Sequence, residues 1–138
     1  MNKLFTIIHK RSVSFERLYR ILFYILCLLV LFSAVIKIGG NLDKKIGIGE
    51  LRVRMDHLLH ALAYFIFSMY YIAGRYIGLK LFKKRKHIFF FFVLFVLGLL
   101  AEGLQIWIPY RSFSLMDLLS NLVGIGMGYL VTIFSVKT

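Results

Sequence analysis

Hydrophobic positions fall into four long runs separated by short, strongly basic segments. The first extends from about Leu18 to Ile38, with a charge-free centre from Ile21 to Ile36. The second extends from Leu58 to Leu79 and is interrupted by Arg75; the third, from His87 to Ile108, carries Glu102; the fourth, from Leu115 to Ser135, carries Asp117 and Asn121. A helix needs about 20 residues, each rising about 1.5 Å, to cross about 30 Å of hydrocarbon. The last three runs meet that length directly, and Arg20 can snorkel to the interface to lengthen the first. The pattern predicts an all-α integral membrane bundle of about four transmembrane helices. Basic residues precede the first run, as in a signal peptide. Its apolar centre is long for that role, and Ser33-Ala34-Val35 is a poor cleavage site, so the run is expected to be retained. With one proline, Pro109, and no repeat or low-complexity linker, residues 1–138 read as a single domain.

Composition agrees with this picture. Hydrophobic residues make up 60% of the chain, against about 45–50% in soluble domains, and the mean hydropathy is +0.82. The net charge of +12 would suit nucleic acid, but the basic residues sit between apolar runs, where membrane topology places them. No nucleic-acid partner is expected. A single cysteine, Cys27, excludes an internal disulfide and a multi-cysteine metal site.

The distribution of Lys and Arg sets the expected orientation. Lys3, Lys10, Arg11, Arg17 and Arg20 precede the first helix, and Lys80, Lys83, Lys84, Arg85 and Lys86 lie between the second and third, near Arg75. Placing those segments and the C-terminal Lys137 in the cytoplasm puts 12 of the 18 basic residues inside. The first loop, with Lys37, Lys44, Lys45, Arg52 and Arg54, and the third, with Arg111 alone, then lie outside.

On that topology the polar residues converge. Asp56, His60 and Tyr64 follow at i, i+4 and form one stripe at the start of helix two. Glu102 and Gln105 share a face near the end of helix three. Arg111 and Ser112 follow Pro109, and Asp117 and Asn121 are i, i+4 at the start of helix four. All three helix ends belong to the same side of the membrane. A charged side chain near the centre of a membrane helix costs at least about 2.5–3.5 kcal/mol and faces a partner or a wet cavity. Glu102, roughly 9 Å inside its span, is the most expensive of the set, with His60, Arg111 and Asn121 as its candidate neighbours.

Plainer roles compete at several positions. Asp56 suits the start of any helix, and Asp117 suits a capping motif after Ser114. Arg111 also reads as an ordinary loop charge, Trp107 as an interfacial aromatic, and Gln105 and Asn121 as interhelical glue. His57 lies off the stripe and is placed at the interface; His9 and His87 are placed on the surface at cytoplasmic ends. Gly124 and Gly128 form a Gly-x-x-x-Gly step, assigned to helix packing.

Two stretches resemble signatures of the VanZ-like family. Asp56-His57-Leu58-Leu59-His60-Ala61-Leu62-Ala63-Tyr64 is similar to the family's Asp-Lys-x-x-His-x-x-Ala-Tyr stretch. Glu102-x-x-Gln105, Arg111-Ser112-Phe113-Ser114 and Asp117-x-x-x-Asn121-x-x-Gly124 are similar to its second signature. The similarity covers about residues 55–128. This chain departs at His57, where the family often has Lys, and at Tyr110, where Gly is common. The resemblance implies a bacterial inner-membrane protein of about four helices, from a family named for a protein associated with resistance to teicoplanin-type glycopeptides.

The residues leave three functions open. One is a cell-envelope protein whose outer-facing site, built from Asp56, His60, Tyr64, Glu102, Gln105, Arg111, Ser112, Asp117 and Asn121, binds a polar group of a lipid, glycan or peptidoglycan precursor. A second is a membrane-embedded hydrolase or transferase acting on a lipid-linked substrate, with His60, Glu102 and Asp117 as candidate catalytic groups. A third is a structural bundle whose polar residues fix helix packing. No cofactor is expected. One stripe histidine with scattered carboxylates is a weak metal signature, and no metal is assigned.

Overall fold

The computed structural model describes the backbone of residues 2–36, 45–48, 51–82, 87–109 and 113–135, and the side chains of residues 13–36, 55–82, 87–109 and 113–135. Four helices dominate: α1 (Asn2–Val35), α2 (Met55–Tyr76), α3 (His87–Gln105) and α4 (Leu115–Ser135). Each contains a segment long and apolar enough to cross a membrane, that of α1 being Val13–Val35. The chain is thus an all-helical bundle of the multi-pass membrane type. Before α2, strands β1 (Lys45–Ile48) and β2 (Leu51–Arg54) form an antiparallel hairpin pairing Ile46 with Val53 and Ile48 with Leu51. This hairpin was not expected from the apolar runs.

The distribution of side chains is inverted relative to a soluble protein. Leu28, Phe32, Ile66, Met127 and Phe134 are exposed, whereas Ser68, Glu102, Gln105, Asp117, Asn121 and Thr132 are buried. In water that arrangement would forfeit the main driving force of folding. In lipid it is the expected one, because apolar side chains are solvated by acyl chains and polar groups must find partners inside. Two buried hydroxyls turn to their own helix: Ser68 donates to the Tyr64 carbonyl at 3.1 Å and Thr132 to the Gly128 carbonyl at 2.8 Å.

Two kinds of packing hold the helices. Aromatic side chains join α1, α2 and α3. Tyr71 stacks on Phe90 with ring centroids 4.2 Å apart, and Phe23 meets both Phe67 and Phe90. Tyr19 stacks on Tyr70, whose hydroxyl donates to the Tyr19 carbonyl at 2.6 Å. The Tyr19 ring lies where a side chain on Gly74 would stand. His87, expected on the surface, instead hydrogen-bonds the Tyr71 hydroxyl through Nδ1 at 2.9 Å and meets its ring edge-on.

Small residues join α2 to α4. A Cβ on Gly124 would collide with the Ala61 carbonyl, and one on Gly128 with the Ser68 side chain, while one on Gly126 would meet nothing within 4 Å. Going up α2 from Ala61 to Ser68 goes up α4 from Gly124 to Gly128, so the two helices run parallel. The Tyr76 hydroxyl closes the far end by donating to the Ser135 carbonyl at 2.9 Å. Parallel helices in direct contact bring their N-termini to the same end of the bundle.

Candidate functional site

The shared end of α2 and α4 is where the polar residues gather, and His60 stands at their centre. Its Nδ1 lies 3.0 Å from Asn121 Oδ1 and 3.8 Å from Glu102 Oε1. Its Nε2 lies 3.7 Å from Asp56 Oδ1. Asn121 Nδ2 donates to Glu102 Oε1 at 3.5 Å. These contacts bring α2, α3 and α4 together at one depth. Helical spacing explains the convergence: Asp56 and His60 are one turn apart on α2, and Asp117 and Asn121 one turn apart on α4.

A second pair flanks this centre. His57 Nδ1 lies 2.7 Å from Asp117 Oδ1. That contact corrects the placement of His57 off the polar stripe and away from the site. The signal was present in the spacing: His57 and His60 are i, i+3, which also places them on one helix face. Counting only the i, i+4 stripe through Asp56, His60 and Tyr64 discarded it. Asp117 does serve as a capping position as well. Its backbone N–H donates to Ser114 Oγ at 3.2 Å, and Leu118 N–H donates to the Ser114 carbonyl at 3.1 Å. Ser114 therefore caps α4, and the Asp117 carboxylate is left to meet His57.

Burial increases across the cluster from Asp56, His57 and His60 to Glu102 and Asn121. The side chains of Asp56, His57 and His60 retain 19%, 21% and 23% exposure. Glu102, Asn121 and Tyr64 are essentially sealed, at 0%, 1% and 1%. Gln105 is also buried, at the end of α3. Glu102 Oε2 and the Tyr64 hydroxyl make no close hydrogen bond among the described residues, although the Ser114 backbone N–H lies near the Glu102 carboxylate. Buried polar atoms of this kind are rare and costly. Arg111 and Ser112, expected to belong to the site, lie outside the described residues. Trp107 is 88% exposed, as an interfacial aromatic would be.

The described site is rich in acceptors: three carboxylates, one amide and two imidazoles. Among the described residues, Arg20 donates through Nε to the Lys80 carbonyl at 3.0 Å, and Arg75 lies in the last turn of α2, so these cationic groups belong to the opposite end of the bundle. What the cluster can do chemically is accept hydrogen bonds from hydroxyl, amide or ammonium groups, shift a proton through either histidine, or hold a cation.

Ligand atoms of Asp56, His60 and Asp117 all lie within 4.8 Å of one another. The carboxylates look scattered in sequence, but the parallel contact of α2 and α4 gathers them. Comparison of the chain with family models, curated proteins and solved structures finds no match.

Proposed function

We propose that the chain is a VanZ-like protein of the bacterial cytoplasmic membrane, with both termini inside. Its polar cluster would be an outward-facing site for the polar group of a lipid, glycan or peptidoglycan precursor. The observation that carries this reading is Glu102, a carboxylate with no exposure whose Oε2 makes no close hydrogen bond among the described residues. A group that only fixed helix packing would have both oxygens satisfied. An unfilled acceptor at the floor, below a partly exposed mouth of Asp56, His57 and His60, suits a ligand that brings its own hydroxyl or amide donor. An open apolar groove of about 460 Å³ runs between α1 and α3, lined by Ile25, Leu28, Phe32, Val35 and Leu104 among others. Leu104 precedes Gln105, so groove and polar site share one end of α3, an arrangement matched to an amphiphilic ligand. Altered handling of such a precursor is one route to teicoplanin-type glycopeptide resistance.

A second reading, a hydrolase or transferase of lipid-linked substrates, is favoured by the His57–Asp117 contact. A carboxylate at 2.7 Å orients the imidazole, as a general base requires. The test is mass spectrometry of lipids and precursors that copurify with the protein, alongside Glu102→Gln. An intact lipid retained by the native chain and lost from Glu102→Gln is expected for a binder. A converted product supports the enzyme. Copurifying lipid identical in both chains, with equal function, removes Glu102 from the site and ends the binding reading.

A further inference from the structure

We propose that Asp56, His60 and Asp117, brought within 4.8 Å of one another by the parallel contact of α2 and α4, bind a divalent transition-metal ion of the zinc or manganese class. The first argument concerns the orientation of the His60 ring. Asn121 offers Nδ2 to the Glu102 carboxylate at 3.5 Å, which turns its Oδ1 toward His60 Nδ1 at 3.0 Å. The reverse amide orientation would set two acceptor oxygens against each other. His60 Nδ1 is thus taken up by Asn121, which leaves Nε2, turned toward Asp56, as the ring nitrogen placed to meet a metal ion. The 3.7 Å separation of Nε2 from Asp56 Oδ1 is beyond hydrogen-bonding distance. A cation seated between the two would bridge that gap.

The second argument is the outer shell. A metal-ligating histidine donates its other ring N–H to an oxygen acceptor, and ligating carboxylates are themselves hydrogen-bonded. The first condition is met at His60 and the second at Asp117. Asn121 holds His60, itself held by Glu102, a fully buried carboxylate with one oxygen that makes no close hydrogen bond among the described residues. His57 holds Asp117 at 2.7 Å. Ligand atoms around a tetrahedral ion stand about 3.4 Å apart, from bond lengths of about 2.0–2.2 Å. Rotation of the partly exposed Asp56 side chain, exchanging the contact it makes for one to the ion, would close the remaining distance without moving a helix. Three protein ligands leave a coordination position open toward the mouth. One imidazole with two carboxylates suits zinc or manganese better than calcium, which takes oxygen donors alone.

The inference shares residues with the proposed ligand site but does not depend on which ligand binds. The experiment uses the full chain in mild detergent, stripped with chelator and then dialysed against Zn²⁺ or Mn²⁺, with bound ion counted by elemental mass spectrometry. One ion per native chain is expected, together with a metal-dependent rise in melting temperature. Asp56→Asn and His60→Ala should lose both. Asn121→Ala should keep all three ligands and bind about 10–100-fold more weakly. Melting of each stripped variant establishes that it is folded, and Asp56→Asn is nearly isosteric at a partly exposed position. A folded native chain that binds no ion, or variants that bind as the native chain does, would overturn the proposal. Lipid retained by the stripped chain without any metal binding would end this inference and leave the ligand reading standing.

Discussion

Replacing Gly124 by alanine tests whether close approach of two helices sets the geometry of the site. The new Cβ would collide with the Ala61 carbonyl of α2. That atom is backbone, so no rotamer change relieves the contact and α4 must move. Overpacking of this kind costs about 1–3 kcal/mol. Gly126→Ala is the internal control, since its Cβ meets nothing within 4 Å. Both substitutions gain the same helix propensity, about 0.8–1.0 kcal/mol in aqueous hosts, so their difference isolates packing. Gly124→Ala should be less stable than Gly126→Ala by about 1–3 kcal/mol, measured by reversible denaturation in detergent. The effect should also reach the site. His57–Asp117 at 2.7 Å and His60–Asn121 at 3.0 Å bridge the same two helices, and a retreat of about 1 Å carries both beyond good hydrogen-bonding distance. Binding should therefore fall in Gly124→Ala and persist in Gly126→Ala. Equal stability and equal binding in the two variants would refute the argument that this glycine holds α2 and α4 together.

Three further outcomes are expected. A double-mutant cycle on His57→Ala and Asp117→Ala should show coupling of about 0.5–3 kcal/mol, and additivity would dissolve the pair. Trp107→Ala, at an 88% exposed position, should shift stability by less than about 0.5 kcal/mol; a larger loss would mean that the ring packs against something. Cysteine labelling should find residues 83–86 protected from a membrane-impermeant reagent added outside, since the termini and that segment hold 12 of the 18 basic residues.

Helices were legible where lipid imposed length on hydrophobicity. The fourth apolar run coincides with α4 residue for residue, because Ser114 caps its start and apolar residues continue to Ser135. The second run begins three residues later than α2, since Met55-Asp56-His57 is helical yet polar. α1 begins at Asn2, far ahead of the run at Leu18: hydropathy registers what a segment is dissolved in, and a charged helix outside the membrane is invisible to it. The β1–β2 hairpin escaped because two four-residue strands in a basic loop carry too few alternating positions to stand out. For the site, helical periodicity and alternating direction were enough to bring Asp56, His60, Glu102, Asp117 and Asn121 together. They did not specify partners, because which atom meets which depends on the rotation of α2 against α4. Gly124 and Gly128 set that rotation, and it put His57 on Asp117.

The three carboxylates do not stand on equal physical ground, and the difference yields a sharper test of function. Asp56 and Asp117 occupy the first turns of α2 and α4, where the positive end of the helix dipole favours an anion by about 0.3–1 kcal/mol. Each contributes to stability whatever else it does. Glu102 lies one turn from the C-terminal end of α3, where the dipole is unfavourable to an anion, and it has no exposure. Neither the helix dipole nor solvation supports a charge there; His60, Asn121 Nδ2 and the nearby Ser114 N–H offset that cost in part, and Oε2 makes no close hydrogen bond among the described residues. Residues held against stability in this way mark sites where function sets the sequence. Glu102→Gln keeps the shape, offers an N–H or a carbonyl to its neighbours and removes the charge. It should therefore melt at or above the native temperature, while Asp56→Asn and Asp117→Asn should melt below it, all measured with chelator present so that no ion contributes. Ligand retention should move the other way, falling in Glu102→Gln despite the gain in stability. If Glu102→Gln instead melts well below the native chain, the carboxylate is a structural partner of His60 and Asn121, and the floor of the site was built for packing rather than for binding.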